Sequence, residues 1–284
     1  MIILMNKIIW ISSYPKSGNT WMRYLIANYF FNSERIFDQK IIKTIKKFPI
    51  DDLIKKISTK KELIGNPYKI SKYWIKSQIL MKVIKGNVTF MKNHNALVSI
   101  NKQDLTNENH SLASIYIVRD PRDVVISYAK YRNLSYDQSI EELCSKKLFY
   151  LIDTKKDFPS IEILGSWKFN YTSWRDGVPN VPKIIVKYEN LLENCYDHFY
   201  KVISFLSNIL NFEINEDQIK FSVDISSFTN LKKNEDLNGF FESDGKSKFF
   251  RKGKSGNWKN VLSNSQIKYI EKELNSEMKF LGYL

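Results

Sequence analysis

Residues 7–31 read KIIWISSYPKSGNTWMRYLIANYFF. Lys7 to Ser12 is a short apolar run of the kind that forms a buried strand. Ser13 to Asn19 is turn-rich and holds Pro15, Lys16 and Gly18. From Thr20 onward the apolar residues Met22, Leu25, Ile26, Tyr29 and Phe30 recur at helical spacing. Strand, glycine-containing loop and helix together make a phosphate cradle. Free N–H groups at the helix start converge on the anion, and the helix dipole favours negative charge there. Lys16 adds a mobile positive charge, and Ser17 and Thr20 add hydroxyl donors.

The common nucleotide-binding pattern, G-x-x-x-x-G-K-[ST], puts its lysine after the second glycine. Here Lys16 precedes the only glycine of a shorter loop. Residues 14–21, YPKSGNTW, instead resemble the YPKSGTTW loop of the cytosolic sulfotransferases; seven of eight positions match, with Asn19 in place of a threonine. In that family the loop cradles the 5′-phosphosulfate of 3′-phosphoadenosine 5′-phosphosulfate (PAPS). The resemblance implies a P-loop-like phosphosulfate site at Lys16, Ser17, Gly18, Asn19 and Thr20, with Trp21 as one wall for adenine. On this loop alone, a chance Pro-Lys-Ser-Gly turn between strand and helix stays open.

Further along, short apolar segments alternate with helical patterns. Tyr73 to Ile84 has helical spacing. Val88 to Lys92 and Ser114 to Val118 read as strands, and Pro121 opens a helix at its favoured first-turn position, running to about Asn133. Ile161–Trp174 reads as a helix, Lys183 to Lys187 as a strand, and Leu191 to Leu210 as one long amphipathic helix. A last helix starts near Asn264, where Ser263 and Gln266 form a capping-box pattern. The alternation predicts an α/β fold: a single domain over 1–284, with a mainly parallel central sheet flanked by helices on both faces. Ligands of such sheets sit at the carboxyl ends of the strands, so the loops after Ser12, Lys92, Val118 and Lys187 should share one ligand edge. Residues 234–257 show no clear periodicity and read as a mobile loop, which the resemblance implies covers the nucleotide.

The chain has 284 residues, 43% hydrophobic and 14% aromatic, which is globular rather than disordered composition. Lys+Arg 44 against Asp+Glu 30 gives +14. A basic surface suits a polyanion, but the lysines are scattered, and charge alone names no partner. No apolar run approaches the ~18 residues of a membrane span. The opening MIILM is too short for a signal-peptide core. Cys144 and Cys195 lack metal-ligand spacing. The expectation is a cytoplasmic protein with no integral membrane segment and no nucleic-acid partner.

Three more clusters extend the resemblance from residue 8 to about 260. Ser114–Tyr131, SIYIVRDPRDVVISYAKY, is similar to the family's strand, R-D-P-x-D and serine-bearing helix, implying Arg119 and Ser127 as ligands of the 3′-phosphate. An arginine fork at a strand end suits phosphate oxygens, although a salt bridge from Arg119 to Asp120 or Asp123 is open on the segment alone. Phe249–Asn260, FFRKGKSGNWKN, resembles R-K-G-x-x-G-D-W-K-N with Asn257 for aspartate, implying a clamp of Arg251, Lys252 and Gly253. MKNHNAL resembles the K-T-H-x-P segment, implying His94 as catalytic base and Lys92 as a residue gating the substrate; Asn93 and Ala96 depart from the pattern. Tyr188, in KYENL, and Ser226 and Phe228 match positions near the adenine. His110 and His198 lie at no such position and read as surface residues.

The implied reaction moves a sulfuryl group from PAPS to an acceptor hydroxyl or amine, without a metal. Residues 33–86 and 132–160 show little of the resemblance; in the family such stretches set acceptor choice, so the acceptor is open among small molecules, lipids and glycans. The family's short dimer signature is not reproduced after Lys259, which leaves a monomer or a weak homodimer. Two rivals remain: a P-loop-type kinase or NTPase, and a non-catalytic binder of PAPS or other anions.

Overall fold

The computed structural model describes residues 7–81, 88–153, 158–242, 248–250 and 253–284. The strands are β1 (Lys7–Ser13), β2 (Lys46–Lys47), β3 (Val88–Asn93), β4 (Ser99–Ile100), β5 (Gln103–Asp104), β6 (Ser111–Val118), β7 (Tyr150–Asp153), β8 (Ser160–Ile163) and β9 (Lys183–Lys187). Five of them form the central sheet in the order β2-β3-β1-β6-β9, and every pair in it is parallel. β4 with β5, and β7 with β8, are separate antiparallel pairs.

Parallel pairing aligns the carboxyl ends. Ser12 lies opposite Asn93 and Tyr116, and Val118 opposite Lys187. The loops after β1, β3, β6 and β9 therefore leave from one edge, as expected.

A parallel sheet is covered on both faces, so its strands are apolar throughout. In β1, Ile8 to Ile11 are fully buried. Their side chains alternate between two layers. Ile8 and Trp10 pack with Val124, Tyr128, Trp167 and Trp174. Ile9 and Ile11 pack with Met22, Leu25, Phe199 and Val202. The first layer rests on helices Pro121–Arg132 and Trp167–Asp176, the second on Asn19–Phe31 and Cys195–Leu210. Truncating a residue such as Ile11 to alanine would cost about 2–5 kcal/mol.

Several local expectations are corrected. The helix expected over Ile161–Trp174 begins only at Trp167; Ser160–Ile163 is a strand. Gly165 at φ 64 turns the chain, and Ser166 caps the helix by accepting from the Phe169 N–H. The single helix expected over Leu191–Leu210 is two, Tyr188–Glu193 and Cys195–Leu210. Asn194 interrupts it because its side chain accepts from the Asp197 N–H as a new N-cap. The helix expected over Tyr73–Ile84 spans Trp74–Leu80, and its final residues lie outside the described ones. In 234–257, the first five residues finish the helix Phe228–Asn238. His110 is buried, not a surface residue; it precedes β6, where its carbonyl accepts from the Ile8 N–H at 2.8 Å.

Candidate functional site

The loop after β1 is built to approach something closely. Lys16 and Gly18 both take positive φ, 70° and 103°. A left-handed lysine is strained, and such strain concentrates at functional loops. Glycine is required at 18: an added Cβ would lie 2.6 Å from the Tyr188 ring. Asn19 faces inward. Its Nδ2 donates to the Ile11 carbonyl at 2.9 Å and to Ser13 Oγ at 3.3 Å, tying the helix start to the strand end. Ser17 and Thr20 are buried in the same turn. Lys16 Nζ lies over the rings of Tyr131 and Phe249, at 4.9 and 4.5 Å from their centroids.

Arg119 leaves the end of β6 toward this loop. Its Nη1 donates to the Lys16 carbonyl at 3.4 Å and its Nη2 to the Lys254 carbonyl at 3.1 Å. The guanidinium sits 4.3 Å above the Tyr188 ring. Trp21 meets the same ring edge-on at 5.8 Å. Three buried donors in this region have no acceptor among the described residues: Ser17 Oγ, Trp21 Nε1 and Arg119 Nε. Buried donors normally have partners. Together with an aromatic corner and a glycine-thin loop, they fit an adenine nucleotide carrying phosphates.

The motif around Arg119 divides its labour. Arg119 does not bridge to Asp120 or Asp123. Asp120 instead pairs with Arg122 at 2.8 Å, and the Arg122 guanidinium stacks on Trp258 at 3.8 Å. Asp123 accepts from Ser255 Oγ, the Gly256 N–H and the Trp258 N–H, at 3.1, 2.7 and 3.1 Å. One carboxylate thus anchors the segment that follows the expected clamp. Glu235 holds the segment before it, accepting from the N–H groups of Phe249 and Phe250. Gly253, at φ 56, lies against the Phe228 ring, where a Cβ would come within 2.5 Å. Arg251 and Lys252 lie outside the described residues.

Ser127 is half-buried on the helix Pro121–Arg132, one turn before Tyr131 and so on the face that meets Lys16. Ser226 is used within the protein: its Oγ accepts from Asn28 Nδ2 at 3.1 Å.

His94 follows β3. Its Nδ1 lies 2.8 Å from the Ser13 carbonyl and 3.3 Å from Ser13 Oγ. A carbonyl can only accept, so Nδ1 carries the proton and Nε2 keeps the lone pair. Burial lowers the His94 pKa to about 4, outweighing the favourable charge of Glu162. The departures from the family pattern have local reasons. Asn93 bonds across to Ser12 Oγ at 3.4 Å and to the Asn95 carbonyl at 2.9 Å. Ala96 donates its N–H to the Ile163 carbonyl at 2.8 Å, a bond proline could not make.

Around His94 stands a chain of charges. Arg23 and Lys92 share Glu242, at 2.7 and 3.4 Å. Burial brings the Lys92 pKa down to about 8, with Glu242 opposing. Burial would raise Glu242, but Lys92 and Arg23 hold it at about 2. Lys47, opposite Lys92 in the sheet, pairs with Glu162 at 3.1 Å. Nothing in the local pattern marks Glu162 or Glu242, because their partners are distant in sequence. Asp123 had a visible signal as the second aspartate of R-D-P-R-D. Among the described residues no group of three or more His, Cys, Asp or Glu is placed to hold a metal ion, and no helix is long and apolar enough to cross a membrane.

Comparison with known proteins identifies the family and the fold. The family described as "Sulfotransferase domain" matches residues 6–282. Luciferin sulfotransferase of Photinus pyralis is 26% identical, covering 90% of this chain and 68% of that protein. Amine sulfotransferase of Oryctolagus cuniculus is 20% identical, covering 95% and 80%. Among solved structures, retinol dehydratase in complex with androsterone and inactive cofactor PAP superposes with a TM-score of 0.64 at 18% identity, covering 97% of this chain and 81% of that one. Mouse sulfotransferase SULT7A1 complexed with PAP gives 0.56 at 20% identity, covering 96% and 85%. With nearly the whole chain inside the family's bounds, the chain belongs to the sulfotransferase family and is a PAPS-dependent sulfotransferase.

Proposed function

We propose that this enzyme transfers the sulfuryl group by in-line displacement to a hydroxyl or amine of the acceptor, with His94 as base. The observation that carries this reading is that the loop bearing Lys16 and the strand end bearing His94 are adjacent and bonded through Ser13. PAPS supplies the sulfuryl group and leaves as adenosine 3′,5′-bisphosphate. Arg119 and Ser127 hold the 3′-phosphate, with Arg251, Lys252 and Gly253 closing over it. Gly18, Ser17, Asn19 and Thr20 present the loop to the 5′-phosphate, and Trp21, Tyr188, Ser226 and Phe228 bound the adenine pocket.

Lys16 neutralises charge growing on the bridging phosphate oxygen as its bond to sulfur breaks. His94 Nε2 takes the acceptor proton as the new bond to sulfur forms. Ser127 restrains Lys16 before the acceptor arrives, and Lys92 gates that side. Residues 33–86 and 132–160 shape the acceptor side; β2 and β7 belong to them. The acceptor is a small molecule, lipid or glycan, and the enzyme works in the cytoplasm as a monomer or weak homodimer.

The test separates the two ends of the reaction. Lys16→Ala removes charge and a nucleotide contact, so turnover and PAPS binding both fall. His94→Ala spares PAPS affinity while turnover drops by about 10²–10⁴. Near-full activity of His94→Ala on an ordinary alcohol would remove His94 from the role of base.

A further inference from the structure

Beside His94 lies a carboxylate that the transfer step does not use. Glu162 is only 8% exposed. Its Oε2 is held by Lys47 at 3.1 Å, while its Oε1 is buried with no hydrogen-bond partner among the described residues. The next residue, Ile163, is bonded on both sides to the His94 segment. Its N–H donates to Asn95 Oδ1 at 2.7 Å, and its carbonyl accepts from the Ala96 N–H at 2.8 Å. The β7–β8 pair is thereby strapped to the segment that carries His94, and the charge of Glu162 acts on the imidazole. None of the residues around the nucleotide corner, Trp21, Arg119 or Tyr188, bonds to it.

Burial alone would raise the Glu162 pKa. The charges of Lys47, His94 and Lys92 reverse this and hold it below the usual carboxylate range. The group is an anion at neutral pH. A buried anion with one oxygen unpaired is costly, and a half-satisfied buried group is where a ligand donor gains most. An acceptor that is apolar around its reacting oxygen would leave Oε1 unpaired.

We propose that Glu162 selects acceptors carrying a second hydrogen-bond donor, an O–H or N–H, on the atom next to the one that receives the sulfuryl group. The inference rests on His94 marking the acceptor side. The class is vicinal diols, sugars and amino alcohols rather than simple phenols or sterols. A site that bonds a substrate hydroxyl rejects an analogue lacking it far more strongly than an apolar pocket rejects an extra group.

The experiment uses the full chain, PAPS, and three acceptors of one shape: cyclohexanol, trans-1,2-cyclohexanediol and trans-2-aminocyclohexanol. The unmutated enzyme should favour the diol or the amino alcohol over cyclohexanol by at least about tenfold in kcat/KM. The diol arm and the amino-alcohol arm distinguish an O–H from an N–H donor. In Glu162→Leu the ratio should fall to about one, while affinity for adenosine 3′,5′-bisphosphate by calorimetry is unchanged. Lys47→Met/Glu162→Leu removes both charges, so it gives the same reading if the single variant fails to fold. A ratio near one in the unmutated enzyme, or a preference surviving in both variants, overturns the proposal while leaving the transfer reading intact. Tight nucleotide binding with no turnover of any of the three would overturn the proposal and leave the transfer reading, whose acceptor class is wider, intact.

Discussion

His94 Nδ1 lies 2.8 Å from the backbone carbonyl of Ser13, so the donor-loop strand sets the tautomer of the residue across from it. The bond spans 81 positions of sequence and exists only because β1 and β3 pair in parallel, Ser12 opposite Asn93. It leaves a neutral imidazole with Nε2 as the basic nitrogen.

The pH profile follows from the His94 pKa of about 4. The neutral, competent form persists through the acid range where an ordinary histidine, near 6.5, would protonate. In kcat/KM for an alcohol, the acid limb should therefore lie near 4. The same shift bears on stability. Between 6.5 and about 4 the unfolded chain binds the proton and the folded one does not, so this group's contribution to stability falls as pH drops through that window. An acid limb near 6.5 that disappears in His94→Ala would show that burial does not act on the imidazole as described.

Arg119 and Asp123 should separate binding from anchoring. Arg119→Ala should weaken adenosine 3′,5′-bisphosphate by roughly 1.5–3 kcal/mol, the range for a charged hydrogen bond. Asp123→Ala leaves the N–H groups of Gly256 and Trp258 without their acceptor. It should weaken binding and also lower stability in urea by about 1–3 kcal/mol. Calorimetry and urea unfolding on both variants check this; an Asp123→Ala protein of unchanged stability would contradict the anchoring role.

Ala96→Pro restores the family's residue and removes the N–H that meets the Ile163 carbonyl. The expected cost is about 1–3 kcal/mol of stability, with acceptor KM raised and nucleotide affinity unchanged. Kinetics with varied acceptor at saturating PAPS reads the split. If nucleotide affinity fell and acceptor KM did not, the strap would belong to the donor side instead.

The sheet and its ligand edge were legible because short apolar runs and a phosphate-type loop are local patterns. The place of Arg119 at a strand end was legible for the same reason, since it follows one such run. Ile161 to Trp174 misled because apolar residues in a buried strand and a buried helix have similar composition; Gly165 and Ser166, a turn and a cap, held the boundary. Asn194 likewise reads as one more polar position in a helix until its cap bond is seen. Glu162 and Glu242 were out of reach, since each is defined by pairing with Lys47, Lys92 or Arg23 across more than a hundred residues. The charges around His94 rest on such long-range pairs, which is why they did not read out of local motifs.

The most direct test of the central claim is a calorimetric titration of the purified protein with adenosine 3′,5′-bisphosphate and with ATP, each with and without magnesium. Arg119, Tyr188, Gly18 and Lys16 converge on one corner, which we propose holds the nucleotide, and the proposed 3′-phosphate contact is absent in ATP. The bisphosphate should bind far more tightly than ATP and with no dependence on magnesium. ATP binding equally or more tightly, and only when magnesium is present, would contradict it and favour a kinase or NTPase.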